Sequence, residues 1–95
     1  MVIYSAHLKL RLKKRKFPTH YPSLIYENPD KKYFDTEQKS YIAVKRLDYA
    51  GKLREIMVAY RLVKEDVIIA TIHPERKGEV RNRLKSGRYV IYEEK

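Results

Sequence analysis

The sequence predicts an α+β domain: two N-terminal helices packed on a four-stranded antiparallel meander, with a short basic C-terminal helix or tail. Three observations lead there. Near Asp30 the texture changes, from Lys-, Arg- and Leu-rich to β-branched and aromatic. The β-rich runs are separated by breaks of a few polar residues, and short connections make antiparallel neighbours. At 95 residues the chain has the size of one domain, divided into a helical part over 1–30, a sheet over 31–74 and a basic segment over 75–95.

The first segment reads two ways. His7-Leu8-Lys9-Leu10-Arg11-Leu12-Lys13 alternates strictly, as a half-buried strand would. Read as a helix, Tyr4, Leu8 and Leu12 form one apolar stripe, and Ile3, Leu10 and Phe17 form another. Between them runs a third stripe, His7, Arg11 and Arg15. No β-branched residue occurs from 4 to 17, and Pro18 stops a helix. Periodicity alone leaves both readings standing.

After the break at Pro18 to Pro22, Ser23 is placed to cap a short helix through Glu27, which ends at Asn28-Pro29-Asp30. Four strands follow, near 31–36, 40–49, 53–63 and 67–73. Val80 and Leu84 share a helical face, and Ser86-Gly87 ends that helix. Tyr89-Val90-Ile91-Tyr92 is apolar enough for an edge strand or for docking on a partner.

Composition narrows the function. There are 22 Lys+Arg against 12 Asp+Glu, a net charge of +10, and no cysteine. A disulfide scaffold, a Cys-ligated zinc site and a thiol nucleophile are therefore excluded. At 43% hydrophobic residues, the chain has enough for a two-layer core. No apolar run nears the ~20 residues of a membrane span. Met1 to His7 lacks the apolar stretch of a secretory leader, so the expectation is a cytoplasmic protein without a membrane partner. Two Asn and one Gln among many Lys, Arg and Glu give a thermophile-like balance.

The surplus charge is clustered. Residues 9–16 hold six basic residues and no acid, and residues 76–88 hold six against the single acid Glu79. The rest of the chain is close to neutral. Clustered cations are the footprint of phosphate binding, because each neutralised phosphate releases counterions. The expected nucleic-acid contacts are Lys14, Lys45, Arg76, Arg81, Arg83 and Arg88. The same charge also suits a solvated face or an acidic protein partner.

A chemical site follows from an assumed strand register. A two-residue turn at Glu65-Asp66 puts Tyr60 opposite Thr71 and Val58 opposite His73. Continuing across Ala50-Gly51 puts Tyr41 opposite Tyr60. If a basic helix packs on that face, His7, Arg11 and Arg15 meet Tyr60, Thr71 and His73 in one cleft. Such a set suits RNA cleavage without metal or cofactor. The 2′-OH of RNA is itself the nucleophile, so the protein supplies an acid, a base and cations for the phosphorane. Three scattered histidines lack metal-ligand spacing, and Gly51, Gly78 and Gly87 make no phosphate loop.

The string Tyr4-Ser5-Ala6-His7-x3-Arg11-x3-Arg15-x-Phe17, then Asn28-Pro29-Asp30, and the run Val67 to Pro74 resemble small domains grouped with the barnase/EndoU/colicin/RelE-like ribonuclease toxins. His7, Arg11, Arg15, Asn28, Pro29, Thr71 and Pro74 match that pattern, and His73 replaces a usual aromatic. The resemblance spans about residues 4–74. It implies a helix over the first basic segment and a RelE-like nuclease-type domain of two helices followed by a four-stranded sheet. It also implies a metal-independent endoribonuclease toxin acting on RNA and held by an acidic antitoxin protein. A non-catalytic RNA- or DNA-binding module, or a module for an acidic protein, is the alternative.

Overall fold

The computed structural model describes residues 1–92, so the last three residues of the 75–95 segment lie outside the described residues. The order is β1 (Val2–Tyr4), α1 (Ala6–Arg15), α2 (Tyr21–Glu27), β2 (Lys31–Asp35), β3 (Ser40–Tyr49), β4 (Lys52–Val63), β5 (Asp66–Pro74), α3 (Glu79–Lys85) and β6 (Tyr89–Ile91). All six strands form one mixed sheet in the order β1-β5-β4-β3-β2-β6.

This overturns the expected fold of two helices on a four-stranded antiparallel sheet. The first element is a strand, the sheet is mixed and six-stranded, and there are three helices among the described residues. β1 runs parallel to β5, with Val2 beside Val67 and Tyr4 beside Ile69. Val2 and Ile3 are β-branched, and pairing gives their backbone groups partners along the otherwise open edge of β5. At the other edge, Tyr89 to Ile91 pairs with β2.

Ser5 joins β1 to α1 and anchors both. Its Oγ accepts the Leu8 N–H at 3.0 Å, capping the helix, and donates to the Ala70 carbonyl at 3.1 Å. Its own N–H donates to the Ile69 carbonyl. This is where β5 bulges: Tyr60 pairs with Ile69 but Ala59 with Thr71, which leaves Ala70 as the extra residue. The bulge carbonyl is thus satisfied by the residue that starts α1. α1 ends at Lys16, which is left-handed with φ 55°. α2 begins two residues before Ser23, with Pro22 in its first turn. Ser23 does not cap it; its N–H and Oγ meet the Tyr4 hydroxyl instead.

The sheet separates two cores. On one side Leu8, Leu12, Phe17, Tyr21 and Ile25 pack on Ala43, Ile56, Val58, Tyr60, Val67, Ile69 and Ile72. Phe17 stacks on Tyr49 at 4.4 Å, and the Tyr49 hydroxyl donates to the Arg15 carbonyl, which pins the end of α1 to β3. On the other side Tyr33, Ile42, Val44, Met57 and Tyr89 pack with Val80, while Ala59 and Leu84 border them. α1 and α2 therefore share one face, and α3 covers the other. Below, these are the helix-pair face and the α3 face.

Candidate functional site

The bulge at Ala70 decides where the expected site residues lie. The β4–β5 turn falls at Lys64-Glu65, because Val63 pairs with Asp66; it is one residue earlier than the expected Glu65-Asp66. Tyr41 does lie opposite Tyr60. Tyr60, however, pairs with Ile69, and Met57 rather than Val58 faces His73. The extra residue reverses the alternation, so Thr71 and His73 project with Ala59 and Met57 onto the α3 face. The ring of Tyr60 stays on the helix-pair face, stacked on Tyr41 at 5.4 Å.

The structure therefore does not bring the expected six residues into one cleft. His7, Arg11 and Arg15 line a hollow of about 330 Å³ on α1 with Leu10 and Lys14. Thr71 and His73 line a separate cleft of about 260 Å³ on the α3 side, and Tyr60 is also in its lining. Arg15 is close enough for its charge to lower the His73 pKa.

The α1 hollow follows from helical geometry. Leu8 and Leu12 are buried, which turns His7, Arg11, Lys14 and Arg15 outward. Leu10, expected in an apolar stripe, is 55% exposed beside them. Among the described residues no ion pair engages Arg11, Lys14 or Arg15. Lys13, Lys14 and Arg15 occupy the last turn, where the helix dipole favours cations.

The cleft under α3 is the opposite case. His73 Nε2 lies 3.2 Å from Glu79 Oε2, and Arg83 lies 2.9 Å from the same oxygen. Glu79 Oε1 accepts the Arg76 N–H at 3.0 Å. Arg83 also donates to the Tyr89 hydroxyl at 2.8 Å. Burial pushes the His73 imidazole below its ordinary value, more than Glu79 pushes it up, and Arg76 and Arg15 lower it further. Burial pushes Glu79 up, but the Arg76 N–H, His73 and Arg83 together hold it below the usual range. In its neutral form, which burial favours, the imidazole can meet the Glu79 carboxylate only as a donor. Nε2 carries the proton toward Glu79, and Nδ1 is left as the acceptor.

A second buried carboxylate closes this cleft. Asp35, 2% exposed, takes a forked contact from Arg88, with Nε at 3.1 Å and 3.2 Å and Nη2 at 2.9 Å. It also accepts the Glu37 and Gln38 N–H groups, which shapes the β2–β3 turn. Burial raises its pKa, and these bonds more than reverse that.

The expected nucleic-acid contacts divide accordingly. Lys14, Arg76 and Arg81 have no ion-pair partner among the described residues, and all three are exposed. Lys45 pairs with Asp30 at 3.5 Å, Arg83 with Glu79 and Arg88 with Asp35, so these three are already engaged. Sequence reasoning missed Glu79 and Asp35 as centres. Glu79 had a signal, as the lone acid in a basic run.

Among the described residues no three His, Cys, Asp or Glu side chains converge as metal ligands. No helix among them is long and apolar enough to cross a membrane. In comparisons with known proteins, the chain has no significant match to a family model, a curated protein or a solved structure, so the likeness to ribonuclease toxins rests on its sequence motif.

Proposed function

We propose that this protein binds RNA, with α1 as the phosphate-contacting surface and Arg76 and Arg81 as outlying contacts. The observation that carries the reading is the row of unpaired cations on α1, set against a chain that elsewhere pairs its buried carboxylates with arginine. An unpaired arginine needs no internal bond broken before it takes a phosphate. The test is fluorescence anisotropy with a labelled single-stranded RNA. Replacing Arg11, Lys14 and Arg15 together by alanine is expected to weaken binding at least tenfold with thermal stability retained. Unchanged affinity would reject the reading. An acidic antitoxin is expected to compete for the same surface.

A second reading, metal-independent RNA cleavage, is favoured by His73 and Glu79. An oriented neutral imidazole is suited to accept the 2′-OH proton through Nδ1, with Thr71 beside it in the cleft. In this reading His73 is the base, and His7 on α1 takes no part in the chemistry. His73→Ala is then expected to lower cleavage of a defined RNA in EDTA by ~10²-fold, and His7→Ala to leave it near wild type. The opposite pattern, or no cleavage by wild type, would reject it.

A further inference from the structure

Among the described residues the helix-pair face is not fully covered. α1 packs on β5, and α2 on β4 and β3. Beyond α2, toward β2 and β6, lies a cleft of about 720 Å³ whose aromatic walls are Tyr26, Tyr41, Tyr60 and Tyr92. Tyr60 is buried and forms the base, while Tyr26, Tyr41 and Tyr92 are half-buried around it.

These rings are already organised. Tyr26 meets Tyr60 edge-on at 4.9 Å, and Tyr41 stacks on Tyr60 with an interplanar angle of 18°. Tyr92 and Phe34 meet Tyr41 edge-on at 5.2 Å and 5.1 Å. The Lys32 ammonium lies 5.0 Å from the centre of the Tyr92 ring. Lys31 also lines the cleft, while Asp30 at its rim is held by Lys45 and the Arg46 N–H. A tyrosine-walled cleft of this size has room for a flat ring, and Lys31 in its lining suits an attached phosphate.

We propose that this cleft takes an unpaired nucleobase with its 5′-phosphate, supplied by a single-stranded RNA held on the protein. The proposal rests on the RNA-binding reading for the source of the base. Stacking is sequence-tolerant because every base has a π-face, so the cleft contributes affinity without specifying sequence. The stacking part of its contribution is insensitive to salt, unlike the phosphate contacts of the cleft and of α1.

The chain contains no tryptophan, so Tyr92→Trp places a single tryptophan at the cleft wall, which can be excited selectively over the tyrosines. The probes are a short oligouridylate, the matching abasic oligomer, an RNA duplex and free uridine 5′-monophosphate. Quenching by the oligouridylate, with none from the abasic oligomer or the duplex, is the expected result. Quenching by the free nucleotide as well would support the site for the base alone. If the RNA binds by anisotropy but leaves Trp fluorescence unchanged, or if the abasic oligomer quenches equally, the cleft proposal fails and the RNA-binding reading survives. If only the free nucleotide quenches and no RNA binds, the RNA reading fails and the base site survives. Tyr92→Leu supplies a check without the fluorophore. It is expected to weaken oligouridylate binding about tenfold with an unchanged salt slope.

Discussion

On α1, Arg11, Lys14 and Arg15 have no ion-pair partner among the described residues, whereas on the opposite face Arg83 and Arg88 are each bound to a buried carboxylate. All five are basic residues of the two clusters that dominate the charge of the sequence. Their surroundings give them different work. A cation paired with a buried acid holds the fold together, and losing it strands the acid in low dielectric. A cation in water has little effect on stability, so it is available to a phosphate. Charge clustering alone therefore overstates the number of unengaged cations, and the distribution of carboxylates corrects it.

The largest expected effect that sharpens this contrast is on stability. Arg88→Ala leaves Asp35 buried without its guanidinium and is expected to cost about 3 kcal/mol, measured by urea unfolding at neutral pH. A cost under ~0.5 kcal/mol, the range of an ordinary surface substitution, would break the contrast. Ser5→Ala comes next, at roughly 1 kcal/mol, because it removes the α1 cap and the bond to the bulge carbonyl together. A variant as stable as wild type would show that the bulge holds without Ser5.

The paired side should also respond to acid. Unfolded histidine titrates near 6.5, and folded His73 titrates lower. Between those values the unfolded chain binds more protons, so stability falls as pH drops through that window. Asp35 and Glu79 are held below their ordinary 3.8 and 4.5, so their stabilisation is present above those values and is lost at still lower pH. Urea midpoints from pH 7.5 to 5 should decline for wild type and decline less for His73→Gln. Parallel profiles for the two proteins would remove His73 from the account. Smallest of all, Arg11→Ala is expected to change stability by less than ~0.5 kcal/mol while weakening RNA binding.

The same contrast explains what was legible beforehand. The β3–β4 register could be derived, because Ala50-Gly51 is a two-residue turn with both residues at positive φ, which locks Tyr41 opposite Tyr60. The β4–β5 register could not, since the bulge at Ala70 is fixed by Ser5, a residue 65 positions away. Alternation carries no record of such a partner, and one inserted residue moved Thr71 and His73 to the other face. β1 escaped for a related reason. Three residues give no periodicity, and their pairing with β5 arises only once the sheet exists. In the candidate site, the α1 stripe was readable only under the helical reading of a segment whose periodicity also fits a strand. Glu79 had a readable partner in Arg83, four residues on in the same helix, whereas Asp35 did not, because Arg88 lies 53 positions away beyond α3.

The division between free and engaged cations is tested most directly by the salt dependence of RNA affinity. With ~6 phosphate contacts to a single strand, wild-type affinity should fall roughly 300-fold between 50 and 200 mM salt. Arg11→Ala/Arg15→Ala should reduce the slope of log affinity against log salt by about 1 to 2, as two lost phosphate contacts require. A flat wild-type response, or a double variant with the wild-type slope, would contradict the assignment of α1 as the phosphate-contacting surface.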